Sequence, residues 1–353
     1  YTAHDKTGNI VTGVATGEAA KISDDEEFNL NYDFQDGFVI YYNDIMFPAA
    51  SSCRRKLYIS EIPEQEIIMQ EQFSTKELKK FATQIRMEIC KMIATIPAGH
   101  LGGSLSIADC LAVLYGGRLK HNPEDPKWDE RDWLVMSKGH CGPALYATLA
   151  LRGFFPVEML ATINKPGTDL PSHCDRNHTP GIDMTTGSLG QGAGTACGVA
   201  LGLKIDGRQN KVFLIFGDGE IQEGQVWEMA MLAASKKLDN LIAFVDYNHL
   251  QIDGRTDNDE VNCLGDIKAK FDAFGWYTQF IDGHDVEAIG AAVDNARANT
   301  GCPSVIILDT VKGKGWSKSE NQVGSHSRGF TEEELAEALS ELQAVMDEIE
   351  KEA

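Results

Sequence analysis

No stretch of this 353-residue chain approaches the ~20 consecutive apolar residues of a membrane span, and no charged-then-apolar leader opens it. Basic charge is scarce. Lys and Arg number 32 against 53 Asp and Glu, a formal net charge of -21. Without a basic face, neither nucleic acid nor an anionic membrane is an expected partner. The eight cysteines (Cys53, Cys90, Cys110, Cys141, Cys174, Cys197, Cys263 and Cys302) include no C-x-x-C pair. Scattered in this way, they read as reduced thiols rather than a disulfide frame or a zinc site. No repeat and no long linker interrupts the chain. What is present is 42% apolar and 24% charged residues, enough to bury a large core and too hydrophobic for bulk disorder. An acidic cytoplasmic enzyme is expected, built as one large domain with additions or as two domains.

Residues 1–73 differ from the rest. They carry 13 Asp and Glu against 5 Lys and Arg, with a cluster at Asp24-Asp25-Glu26-Glu27. Phe28, Leu30, Tyr32 and Phe34 alternate with polar residues, Asp36-Gly37 offers a turn, and Phe38–Tyr42 offers a second strand. A hairpin is expected there, without chemistry of its own. From Ser74 the period changes. Ser74 or Thr75 can cap a helix in which Leu78, Phe81, Ala82, Ile85, Ile89, Met92 and Ile93 recur at three- and four-residue steps. Beyond residue 100, helical stretches alternate with short apolar strands, among them Val212–Phe216, Leu241–Val245 and Ser304–Leu308. Residues 223–236 and the acidic segment 331–353 read as helices. The fold class expected for 74–353 is α/β, a doubly wound parallel sheet with helices on both faces.

The most informative stretch begins at the end of an apolar strand: Gly217-Asp218-Gly219-Glu220. Two glycines there let bare backbone approach a diphosphate, and Asp218 supplies a hard oxygen at the same spot. Asn248 follows the next strand 30 residues later, a strand–helix–strand distance. A right-handed crossover puts both strand ends on one side of the sheet. Asp218, the Asn248 amide oxygen and a nearby carbonyl, that of Leu250, can then hold Mg²⁺ bridged to diphosphate oxygens. A lone Gly-Asp-Gly is weak and usually a turn; the spaced Asn makes it specific.

Gly-Asp-Gly followed by such an Asn resembles the thiamine diphosphate and Mg²⁺ motif of thiamine-dependent enzymes. The surrounding sequence resembles transketolases over residues 74–330, in the form of the N-terminal half of two-chain members. The matching segments are Gly99–Ser106, Ser137-Lys138-Gly139-His140, Thr185–Gly192, Gln222-Glu223-Gly224 and Thr310–Gly315. The resemblance implies a thiamine-diphosphate-binding fold and the following roles. Asp218, Asn248 and the Leu250 carbonyl would ligate Mg²⁺, or Ca²⁺ or Mn²⁺ in its place. Gly187, Ser188, Leu189, Gly217, Gly219 and Glu220 would line the cofactor, His140 would reach its diphosphate, and Ile252 would pack on its thiazolium side. His100, His173 and His326 would face the sugar and move its protons. Glu223, with Glu228, matches acidic residues near the subunit interface that couple paired sites. His100, His140 and His173 stand beside Gly, Ser or Pro, as binding groups in loops tend to. His4, His121, His178 and His284 are assigned to surface or structure, and His249 is expected to point away from the metal motif.

The activity implied is transfer of a two-carbon ketol unit from a ketose to an aldose, with the cofactor as electron sink. In the family, the glutamate that activates the cofactor comes from a following, pyrimidine-binding domain. A C-terminal partner subunit supplying it is therefore expected, as an α2β2 heterotetramer, with no nucleic acid or membrane involved. Two departures from the family stand out. Residues 1–73 have no counterpart: a surface hairpin, a contact arm and a foreign segment all remain open. Gly324-Ser325-His326-Ser327-Arg328 replaces the Trp-His-Gly usual in two-chain members. The rival readings are the α-subunit of a 2-oxo acid dehydrogenase, which shares the metal motif but lacks these histidines, and a cofactor-binding subunit without catalysis. A one-chain deoxyxylulose phosphate synthase would need further domains in the same polypeptide.

Overall fold

The computed structural model describes strand segments at 2–4, 10–12, 39–42 and 45–48, then residues 72–258 and 261–352. The chain divides into two compact units, Tyr1–Ile68 and Met69–Ala353. The first holds two antiparallel ladders: β1 (Thr2–His4) with β2 (Ile10–Thr12), and β3 (Val39–Tyr42) with β4 (Ile45–Pro48). The strand expected at 38–42 is present and pairs with Ile45–Pro48. Its expected partner and turn, residues 28–37, lie outside the described residues.

The second unit opens with α1 (Thr75–Ile93). A capping box starts it: the Glu77 N–H donates to Ser74 Oγ, and the Ser74 N–H donates to the Glu77 carboxylate at 2.7 Å. All seven apolar positions read from the sequence are buried on its inner face. Two short helices follow, α2 (Gly102–Ser106) and α3 (Ala108–Val113), separated where Ile107 leaves helical geometry at φ -91°, ψ 0°. The chain continues through β5 (Trp133–Met136), α4 (Gly142–Leu151), α5 (Gln191–Ile205), β6 (Val212–Gly217), α6 (Gly224–Ser235) and β7 (Leu241–Tyr247). A small hairpin of β8 (Leu250–Gln251) and β9 (Gly254–Arg255) precedes α7 (Ile267–Ala273) and β10 (Tyr277–Asp282). The unit closes with α8 (Val286–Ala298), β11 (Ser304–Asp309) and α9 (Glu332–Lys351), the last again started by a capping box at Thr331 and Glu334.

Five strands form one parallel sheet in the order β10-β11-β7-β6-β5. Their side chains alternate between two cores. Phe213, Ile215, Ile242, Phe244, Ile306 and Leu308 meet α1, α3, α4, α8 and α9 on one face. Leu214, Phe216, Ala243, Val245, Val305 and Ile307 meet α5, α6 and α7 on the other. Each fully buried large aliphatic or aromatic side chain contributes about 1.5–3 kcal/mol, so two covered faces explain why the strands read as unbroken apolar runs. The doubly wound parallel sheet expected from the sequence is the fold observed. Among the described residues, no helix is long and apolar enough to cross a membrane. The carboxyl ends of β5, β6, β7 and β11 all lie on one edge of the sheet, where open α/β folds hold their ligands.

Candidate active site

Every segment singled out around Asp218 and the histidines meets at that edge. After β5, the chain makes a 3-10 turn over Gly139–Cys141 that presents His140 and leads into α4. His100 precedes α2, and an antiparallel bridge between Gly99 and Arg328 (3.1 and 3.0 Å) ties its segment to the one bearing His326. His173 lies beside Gly187, and the Thr186 N–H donates to the Cys174 carbonyl at 3.0 Å. A Cβ on Gly187, whose φ is 151°, would stand 3.1 Å from the His173 ring. One on Gly139 would stand 2.7 Å from the Gly187 nitrogen, so both close approaches require glycine.

The four imidazoles form one cluster. Ring centroids of His100 lie 5.2 Å from His140, 5.5 Å from His173 and 5.6 Å from His326, with His140 and His326 5.2 Å apart. The unusual flanks of His326 therefore do not displace it. Burial pushes His140 down to about 2, helped by the charges of Lys138 and the neighbouring rings. It pushes His326 down to about 3, with Lys312 assisting, and it lowers His100 and His173 as well. All four rings are neutral at pH 7, able to accept a hydrogen bond at one nitrogen and donate one from the other.

Beside the cluster, Asp218 is 2% exposed and Asn248 5%. Asp218 accepts the Gly219 N–H at 2.8 Å and the Thr256 hydroxyl at 2.8 Å. Burial raises its pKa to about 6, a carboxylate short of positive charge. The Asn248 Nδ2 donates inward to Asp246 at 2.9 Å, while its Oδ1 accepts the Leu250 N–H at 3.3 Å. The Leu250 carbonyl accepts the Lys312 ammonium at 2.8 Å. That ammonium also lies 3.1 Å from His326 Nδ1 and acts electrostatically on Asp218. A cation thus already rests on one of the three expected ligand groups, and the hard oxygen donors suit a divalent one. Among the described residues, no three His, Cys, Asp or Glu side chains gather as metal ligands. The metal set would instead be one carboxylate, one amide, one carbonyl and the oxygens of the ligand itself.

Other expected residues take different places. Ser188 and Leu189 lie on the loop ahead of α5, exposed and half-buried, and Gly217 and Gly219 flank Asp218. Ile252 is 60% exposed on the β8–β9 turn. Glu220 is buried with both oxygens engaged, accepting the Ser137 hydroxyl and the N–H groups of Gly190 (2.9 Å) and Gly217 (3.2 Å). It braces three loops against one another. Glu223 and Glu228 are exposed at the start and middle of α6. His249 turns to Asp309 (2.7 Å) and Asp257 (3.2 Å), away from the metal motif, at φ 65°. His284 bridges Asp109 and the Val311 N–H, a structural task.

Sequence reasoning assigned no role to Lys138, Asp246 or Lys312. Burial opposes the charge on Lys138, but Asp246, 2.5 Å away, outweighs it and raises the lysine pKa. Asp246 is fully buried, yet the Lys138 charge and its hydrogen bonds hold its pKa below the ordinary value against the effect of burial. The signal in the sequence was faint: Lys138 stands two residues past β5, Asp246 near the end of β7 and Lys312 three residues past β11.

A parallel α/β sheet with a glycine-cradled acid and a histidine cluster at its carboxyl edge defines a diphosphate-cofactor-binding fold. Residues 78–345 match the family described as transketolase, thiamine diphosphate binding domain, and the chain belongs to that family. It is 52% identical over 267 residues to the 6-deoxy-6-sulfo-D-fructose transketolase subunit SqwG of Clostridium sp. (strain MSTE9), covering 76% of this chain and 96% of the relative. It is 36% identical over 281 residues to an apulose-4-phosphate transketolase subunit of Phocaeicola vulgatus, covering 80% and 98%. The solved transketolase of Campylobacter jejuni superposes with a TM-score of 0.72 at 31% identity, over 78% of this chain and 46% of that one. The chain thus spans about half of that enzyme and nearly all of the two subunits. The transketolase resemblance read from the motifs holds, and the 2-oxo acid dehydrogenase reading is set aside.

Proposed function

We propose that this chain is the thiamine-diphosphate-binding subunit of a two-chain, cytoplasmic transketolase that moves a two-carbon ketol unit from a ketose to an aldose. The convergence of four neutral imidazoles beside Asp218, Asn248 and the Leu250 carbonyl carries the reading. When bound, thiamine diphosphate supplies the electron sink for carbon–carbon cleavage. Asp218, Asn248 Oδ1 and the Leu250 carbonyl would hold Mg²⁺, or Ca²⁺ or Mn²⁺, against its diphosphate, with Gly187, Ser188, Leu189, Gly217 and Gly219 lining it. His140 and Lys312 donate toward the diphosphate, and Ile252 offers its exposed side chain to the thiazolium side. His100, His173 and His326 bind sugar hydroxyls and stand where their protons are taken up or returned. Glu220 holds the cradle loops in register. Glu223, beside Gly190, faces a neighbouring subunit.

A C-terminal subunit with the pyrimidine-binding domain completes the site, in an α2β2 heterotetramer. The relatives named above act on a sulfonated and a phosphorylated sugar. A ketose with an anionic group at its far end is accordingly the donor, and the 52% identity favours the sulfonate. Native mass spectrometry of the protein from its own source tests the assembly. A second chain with thiamine diphosphate and a divalent cation is expected. A homo-oligomer that takes up no thiamine diphosphate even in excess Mg²⁺ would sink the reading. Assaying that complex with 6-deoxy-6-sulfo-D-fructose against fructose 6-phosphate then decides the donor.

A further inference from the structure

Asp246 is the penultimate residue of β7, with its side chain wholly buried beneath the cation motif. Four donors from four parts of the chain converge on it. Lys138 Nζ (2.5 Å), the Ser106 hydroxyl (2.6 Å) and Asn248 Nδ2 (2.9 Å) reach Oδ2, and the Thr310 hydroxyl (2.5 Å) reaches Oδ1. Lys138 is itself held by the Gly103 carbonyl at 2.9 Å. This is far more than closing a strand requires.

Its consequence lies in the chemistry of the primary amide. The two ends of an Asn side chain have nearly the same shape, but only the oxygen can ligate a cation. A half-turn about the terminal bond would offer the cation an NH₂ group. An ionised carboxylate accepts hydrogen bonds and cannot donate, so it tolerates only the NH₂ end facing it. The Lys138 ammonium, 2.5 Å from that carboxylate, balances its charge in the buried site. We propose that Asp246 is a positioning residue that locks the rotation of Asn248, so that Oδ1 always faces the cation and its diphosphate. Outer-shell groups orient metal ligands in this way elsewhere. The inference rests on the thiamine diphosphate reading and adds to it a residue that touches neither cation nor cofactor.

The test uses the full chain assembled with its C-terminal partner subunit and saturating thiamine diphosphate, titrating Mn²⁺ and following free Mn²⁺ by electron paramagnetic resonance. Asp246→Asn should raise the half-saturating Mn²⁺ concentration about tenfold or more. The double variant Asp246→Asn with Asn248→Asp should recover most of that loss, because a carboxylate at 248 offers oxygen in either rotation. It also preserves the net charge next to Lys138. A merely structural Asp246 predicts no such recovery. If D246N keeps the wild-type Mn²⁺ dependence, the proposal is overturned, and likewise if the double variant melts like the wild type yet binds Mn²⁺ no better than D246N. Should D246N fail to fold, the wild-type amide still decides. The Asn248 side-chain NH₂ resonance, assigned by its loss in N248D, should persist in D₂O, and rapid exchange would refute a locked amide. A wild-type complex that takes up no thiamine diphosphate with Mn²⁺ would instead overturn the functional reading, an outcome no variant reproduces.

Discussion

His140 and His326 give up protonation to lie half-buried beside two lysines. Burial drives them to about 2 and 3, against an ordinary value near 6.5 in the unfolded chain. Between those limits the unfolded chain binds protons that the folded one does not. The stability they permit is therefore fully present above pH ~6.5 and is lost as pH falls. The loss is at most about 1.4 kcal/mol per pH unit for each ring. Asp218, raised to about 6, works the opposite way and regains part of it between pH 6 and 4. Urea unfolding of the wild type from pH 7 to 4.5 should show a falling midpoint, and the His140→Gln, His326→Gln double variant a shallower fall. Equal slopes would mean that these rings do not set the acid limit. The family resemblance picked out the four histidines, and Gly, Ser or Pro beside His100, His140 and His173 marks those three as loop residues. Lys138, Asp246 and Lys312 were not legible in this way. A charge at or within a few residues of the end of an apolar strand reads as the start of a solvated loop. The near-complete burial of all three, with Gly217 set opposite Asp246 in the sheet, shows that these strand ends are roofed over.

At the level of elements, legibility followed burial. β6, β7 and β11 are covered on both faces and betray themselves as apolar runs. β10, at one edge, spells Tyr-Thr-Gln-Phe-Ile-Asp with Phe280 50% exposed, and β5, at the other, is only four residues long, so neither announced itself. The α2–α3 break was equally hidden, since nothing local dictates the non-helical Ile107. Helix starts were the clearest signals, because a capping box satisfies backbone donors by sequence alone. Ser74→Ala removes the acceptor for the Glu77 N–H and should cost about 1 kcal/mol. Because α1 packs on α3, α4 and α9 within one core, the loss should appear as a lower midpoint of the whole unit's urea transition. An unchanged midpoint would show that the N-terminal turn of α1 frays in the native state.

Across the whole molecule, the chemistry is concentrated in one unit. Every residue placed at the site, from His100 to His326, belongs to Met69–Ala353, as do both hydrophobic cores. The first unit makes its hydrogen-bonded ladders within itself, β1 with β2 and β3 with β4. Family similarity stops short of it too, since the match begins at residue 78. The second unit carries what it needs to fold: a two-faced sheet, capped helices and a closed ladder at each internal strand. A chain beginning at Met69, assembled with the C-terminal subunit, should therefore take up thiamine diphosphate with Mg²⁺ as the assembled full chain does, which isothermal titration calorimetry of the two complexes side by side will measure. Comparable affinity would leave Tyr1–Ile68 outside cofactor binding and direct attention to its acidic sequence as a contact for other chains. A marked loss, with the shortened chain still melting cooperatively, would show that the first unit reaches the cofactor cradle. It would then be part of the active site despite having no counterpart in the family.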